Sequence, residues 1–190
     1  SDGAVAVGHS AGMNITSGAG NVAVGFNAGA AMTTSDNNTI IGYNAYPVGN
    51  NPDGTGNNTI IGYNAAYQVT NEGFIQNTFV GKQVGGLIVD HAAQKNTGVG
   101  HQCLNNLTSG DNNVAIGRGS LGTLTTGSSN THVGMSTEAN ASGATNETVI
   151  GYATTGVADN SVTLGNADVT AVYMAQDKGA KVYAGDAQFM

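Results

Sequence analysis

The chain has 190 residues, of which 39% are hydrophobic; it has no Trp and only 4 Phe and 7 Tyr, so any interior must be narrow. Charged residues make up only 9% while Gly reaches 30, which argues against both a charge-rich disordered segment and a soluble helical bundle. With a net charge of −7 and only Lys82, Lys95, Lys178, Lys181 and Arg118 as cations, no basic stripe exists to neutralise phosphates, which excludes nucleic acid and anionic lipid as partners.

From the N-terminus onward the elements are copies of one unit. It reads Asn, then Val or Thr, a variable residue, Val or Ile, and Gly. Clear copies end at Gly25, Gly42, Gly62, Gly81 and Gly117, and weaker ones at Gly8, Gly100, Gly134, Gly151 and Gly165. The steps between these glycines are 17, 17, 20, 19, 19, 17, 17, 17 and 14 residues. A near-constant period of this size is the signature of stacked repeats. About ten rungs therefore cover 3–167, and the expected fold is an all-β, parallel β-helix or β-roll solenoid. At about 4.8 Å per rung it makes a rod roughly 45–50 Å long.

Within each unit the residues one and three before the glycine are aliphatic or β-branched. They are expected to point inward together, forming an aliphatic column that includes Val24, Ile41 and Ile61, with Thr39, Thr59, Thr78 and Thr97 also inside. The residue between them then faces outward, yet it is mostly apolar. Ile40, Ile60, Phe79, His132 and Val149 are accordingly expected at an interface with sister subunits, because strands apolar on both faces are covered on both.

The glycine supplies a sharp turn, and the small residue three places on (Ala11, Ala28, Ala45, Ala65, Cys103, Ser120, Thr137) fits a tight corner. Asn at strand entry (Asn21, Asn38, Asn58, Asn77, Asn96, Asn113, Asn130) tolerates left-handed angles and is expected to bond its stacked equivalents in an amide ladder. His9, Phe26, Tyr43, Tyr63, Lys82, His101, Arg118, Met135 and Tyr152 follow the glycines and should line one edge, as a packing ladder or a receptor-contacting stripe.

Three middle coils carry insertions, 46–56, 66–76 and 83–95, and extra residues in a solenoid bulge outward, where binding resides. Tyr46, Tyr67 and Phe74 are exposed-aromatic candidates there; with Tyr43, Tyr63, His91 and Arg118 they form the candidate receptor contacts. After the last rung, residues 168–190 read as a C-terminal β-hairpin cap, with strands over 169–173 and 180–184 about a turn at 177–179.

Enzyme chemistry finds little support. Asp90 and His91 adjoin, but adjacency is not a triad held in space, and the 12 acids are scattered. His9, His91, His101 and His132 lack partners at ligand spacing, although three copies of His132 around a symmetry axis could trap an ion. No cofactor is expected. Cys103 alone cannot make an intrachain disulfide, and its slot suits a buried small side chain. No signal peptide or membrane-inserted segment is expected from the sequence.

The unit followed by Ala or Ser resembles the head repeats of trimeric autotransporter adhesins. The longer, Thr-rich form, NVAVGFNAGAAMTTSDNN and NNVAIGRGSLGTLTTGSSN, is similar to repeats in tail fibres of tailed bacteriophages. The likeness covers almost the whole chain, but the step of 17 to 20 departs from the 14 usual in adhesin heads. The resemblance implies a left-handed coil, a homotrimer, and a virion tail-fibre role in host recognition through a bacterial surface receptor, a glycan or an outer-membrane protein. It also implies that the C-terminal segment precedes a cleaved intramolecular chaperone, with Met190 near the cleavage point. The head of a bacterial cell-surface adhesin and an ice- or glycan-binding solenoid are the alternatives.

Overall fold

A computed structural model describes residues 3–48, 56–70, 73–88 and 93–173. Ten three-residue strands, β1 (Val5–Val7), β2 (Val22–Val24), β3 (Thr39–Ile41), β4 (Thr59–Ile61), β5 (Thr78–Val80), β6 (Thr97–Val99), β7 (Val114–Ile116), β8 (Thr131–Val133), β9 (Thr148–Ile150) and β10 (Val162–Leu164), form one sheet in sequence order. Every pair is parallel and in register, so Ala23 lies beside Ile40 and Ile40 beside Ile60. The chain is thus a β-solenoid, with one strand per coil and turns between, and no helix occurs among the described residues.

The repeat sets this geometry through its backbone. Gly62 has φ +141°, and a Cβ placed there would overlap the carbonyl oxygen of Gly81 in the next coil. Only glycine lets the coils approach so closely. Two and four residues further on the chain again takes left-handed angles, as at Asn64 (φ 52°) and Ala66 (φ 50°), curling it back over the sheet. The left-handed residue at strand entry is the one before the ladder Asn: Asn37, Asn57, Gln76, Lys95 and Asn112 have φ between 56° and 59°. The ladder Asn itself was expected to take that role and does not.

The strand faces are the reverse of the sequence expectation. The middle residues Ala23, Ile40, Ile60, Phe79, Ala115, His132 and Val149 are 0% exposed and form the interior. Their neighbours face outward: Thr39, Thr59, Thr78 and Thr97 are half-buried, as are Val24, Ile41 and Ile61, and Ile116 and Ile150 are 40% and 44% exposed. Ile40, Ile60, Phe79, His132 and Val149 therefore cannot meet a sister subunit, because they are sealed inside their own coil. The cause is the turn at the glycine. It folds the return leg onto the side of the middle residue, so Ala28, Met32, Val84, Ile88, Leu107 and Leu124 close the core from opposite β2–β9.

So narrow a core requires size matching. Phe79 fills the space left by Gly98, at which a Cβ would lie 3.2 Å from the Phe79 ring. Tyr46 and Phe74 stack at 5.5 Å between ring centroids, and Phe74 meets Phe79 at 5.9 Å. These two insertion aromatics, expected outside, are 2% and 0% exposed and belong to the core.

The buried polar column is an amide ladder, as the stacked asparagines imply. Nδ2 of Asn38, Asn58, Asn77, Asn96, Asn113 and Asn130 each donates to Oδ1 of the preceding Asn at 3.0–3.3 Å. The same Oδ1 accepts the backbone N–H of the following Asn, as Asn77 Oδ1 does from Asn96 at 2.9 Å. At the C-terminal end of the rod, residues 169–173 form no strand and are exposed, and the Val169 N–H closes a turn onto Asn166 O at 3.1 Å. The second expected cap strand, 180–184, lies outside the described residues.

Candidate functional site

Three features outside the packed core could carry function. The first is the outer face of the sheet. Two columns run the length of the rod, one of Val and Thr (Val22, Thr39, Thr59, Thr78, Thr97) and one of Val, Ile and Leu (Val7, Val99, Ile116, Ile150, Leu164). The second column is the more open: Val7 is 58% exposed, Val99 37% and Leu164 44%. Sequence reasoning took these residues as core, so it missed this surface.

The second is the stripe beside the glycines, which stands where the sequence placed it. His9, Phe26, Tyr43 and Tyr63 stack face to face, with centroids 5.2, 5.0 and 5.5 Å apart and planes within 14°. The Lys82 ammonium sits 5.8 Å from the Tyr63 ring centre, a cation–π contact that continues the column. Phe26, Tyr43, Tyr63 and Tyr152 are exposed, so the stripe is accessible along its length. Arg118 is exposed in the same column. His91 lies outside the described residues.

The third is the flank one step past the stripe. Tyr67, 37% exposed, lines a groove of about 230 Å³ with Asn64, Gln83, Leu87 and Asn105. A second hollow of about 310 Å³, bordered by Asn105, Gln102, Arg118 and Glu138, adjoins it. The amide-bearing position two after the glycine (Asn27, Asn44, Asn64, Gln83, Gln102) went unremarked in the sequence, although the subtraction that located the glycines also aligns it.

Inside the last coils the core turns polar. Glu147 takes the slot of the next ladder Asn, its N–H donating to Asn130 Oδ1 at 2.9 Å. Its carboxyl lies 3.8 Å from His132 Nε2, with both side chains at 0% exposure. Neither ring nitrogen of His132 has a hydrogen-bond partner, nor does Glu147 Oε1. Burial pushes the His132 imidazole down to about 4. Burial likewise raises the Glu147 carboxyl and the Asp159 charge adds to this, while the Asn140 N–H, donating at 3.2 Å, pulls it down. An ion held by three copies of His132 is ruled out by the inward aim of the ring.

Among the described residues no three His, Cys, Asp or Glu converge as metal ligands. Cys103 is buried as its slot implied, its Sγ donating to Gly100 O at 3.6 Å, and burial pushes the thiol up to about 12. No helix of the described residues is long and apolar enough to cross a membrane. Comparisons with protein-family models, curated proteins and solved structures returned no match.

Proposed function

We propose that the chain is a rigid segment of a homotrimeric fibre that contacts a bacterial surface receptor, acting by multivalent binding and not by turnover. The observation that carries the reading is the outer sheet face. Its aliphatic column runs from Val7 to Leu164, the length of the rod, exposed at Val7, Val99, Ile116, Ile150 and Leu164 and half-buried between. A partner covering it must be equally long, straight and periodic, which describes a second copy of this chain and few other proteins. Closed symmetry then hides the face on every protomer. Three weak receptor contacts held on one rod raise avidity without any new contact.

The repeat likeness adds the finer expectations: a left-handed coil, a virion tail fibre over a bacterial surface adhesin, and a C-terminal cap ahead of a cleaved chaperone. Sedimentation equilibrium tests the core of the proposal. The expected mass is three times the 18.9 kDa of the chain. Val99→Asp with Ile116→Asp, on the open column, should return it to monomer with the coil intact. A monomeric unaltered chain would refute the trimer.

One observation favours a second reading. Thr39, Thr59, Thr78 and Thr97 stand in register on the outer face, each two residues from an outward Val or Ile. Such a flat array suits an ice- or glycan-binding monomer. Thermal hysteresis from a monomeric sample, abolished by Thr59→Lys, would select it over the fibre.

A further inference from the structure

We propose that the flank groove between Asn64 and Glu138 binds a neutral, hydroxyl-rich glycan chain lying along the rod; this rests on the receptor-binding reading above and names its ligand and its site. The lining chemistry carries the assignment. Asn64, Gln83, Gln102 and Asn105 present side-chain amides, each able both to donate and to accept, as sugar hydroxyls require. Tyr67 and Leu87, each 37% exposed, provide the apolar surface against which the C–H face of a pyranose packs.

The amide column is also incomplete. Asn27 Nδ2 donates to Asn44 Oδ1 at 3.2 Å, and Gln102 Nε2 to Gln83 Oε1 at 3.3 Å. Between these pairs Asn64 Oδ1 is buried and accepts nothing. An unpartnered acceptor is costly to keep. Rotation of the Asn64 amide about its last torsion would offer it to a ligand hydroxyl.

Other ligands fit less well. An extended peptide needs a row of free backbone groups, but here Gln83 N–H donates to Tyr63 O at 3.0 Å and Gln102 N–H to Lys82 O at 2.9 Å, coil to coil. A polyanion needs several cations, and the lining offers Arg118 alone, with Glu138 beside it in the same hollow. Glu138 is itself held, its Oε2 accepting from Thr123 N–H at 3.1 Å and from Thr123 Oγ1 at 2.6 Å. A polymer of repeated hydroxylated units matches a wall whose equivalent amides recur at about 4.8 Å, rung after rung.

The test is titration of the intact protein with a linear α-glucan, a linear β-glucan and a mannan oligosaccharide, following side-chain amide NMR signals. At least one of the three should shift the signals of Asn64, Gln83 and Asn105. Tyr67→Ala and Gln83→Ala should each weaken that binding by about ten-fold or more, while Val157→Ala, exposed and outside both groove and stripe, leaves it unchanged. No shift with any of the three, or undiminished binding by both groove variants, would overturn the assignment. In parallel, labelled protein is applied to a panel of bacterial cells. Cell binding that survives both groove substitutions removes the groove and keeps the receptor reading, whereas no cell binding by the unaltered protein removes the receptor reading itself.

Discussion

Replacing Asn77 by alanine should cost about 2–6 kcal/mol, because this residue is the centre of the buried ladder. Its side chain makes four hydrogen bonds: Oδ1 accepts from the Asn96 N–H at 2.9 Å and from Asn96 Nδ2 at 3.3 Å. Its Nδ2 donates to Asn58 Oδ1 at 3.3 Å and to Ala93 O at 2.9 Å. Two of the four partners keep another bond when Asn77 is cut back. Asn96 Nδ2 still reaches Gly110 O, and Asn58 Oδ1 still accepts the N–H of residue 77. The Asn96 N–H and the Ala93 carbonyl are left orphaned, at about 1–3 kcal/mol each. Asn77→Asp should be worse still at neutral pH. It keeps the acceptor but turns a second oxygen toward Asn58 Oδ1 and Ala93 O in a site with 0% exposure. Its folded pKa would be raised, so stability should recover on acidification, when the protonated acid can donate. Urea unfolding followed by circular dichroism at fixed protein concentration measures both. Thr16→Ala, which removes one hydrogen bond from an exposed hydroxyl to Thr33 O, is the control and should cost about 0.5 kcal/mol or less. A loss below about 0.5 kcal/mol for Asn77→Ala, or an aspartate milder than the alanine at neutral pH, would refute the reasoning.

Gly62→Ala should abolish the fold or cost more than about 3 kcal/mol, since it adds a clash with Gly81 O to a backbone region few side chains adopt; an unchanged unfolding midpoint would contradict the close-approach argument. Glu147→Asn should stabilise at neutral pH by about 1 kcal/mol or more, replacing a buried carboxyl with one more amide able to bond Asn130 Oδ1, as read by thermal denaturation. The His132 ring, held near 4 when folded against 6.5 when free, contributes stability that is complete above pH 6.5 and is lost as pH falls toward 4, by about 3 kcal/mol in all. Glu147, raised, acts in the opposite sense, its contribution lost as pH rises through its folded value. His132→Ala, the residue found at the same place in β2 and β7, should therefore gain on the unaltered chain between pH 7 and pH 4; a pH-independent difference would mean the ring is not held neutral.

The period, the strand positions, the parallel register and the amide ladder were legible from the sequence, because each leaves a residue type at a fixed offset from a glycine. The facing of the strands was not. Val24, Ile41 and Ile61 are more uniformly aliphatic than the true core column, where Ala23, Ile40, Phe79, Gly98 and His132 alternate in size to fill a narrow tube. Uniformity marked the flat outer face, which β-branched residues suit, and variety marked the interior. Tyr46 and Phe74 misled for a related reason: an insertion in a solenoid is expected to bulge outward, but these rings turn inward, stack on each other and are buried. Among the candidate contacts, the stacking of Tyr43 and Tyr63 followed from alignment alone. The groove did not, since it depends on how far apart two columns of side chains stand, and a one-dimensional repeat carries no such distance.

The ladder amides all point the same way. Each Nδ2 is aimed toward the N-terminal end of the rod and each Oδ1 toward the C-terminal end, so their dipoles add along the axis much as peptide dipoles add in a helix. Hydrogen bonds chained in this manner polarise one another, and the negative pole arrives at Asn130 Oδ1, which accepts the Glu147 N–H. The rod is thus electrically vectorial as well as geometrically so: its two tips differ in potential even where their sequences look alike, and a neighbour meeting it end-on would sense which tip it had reached.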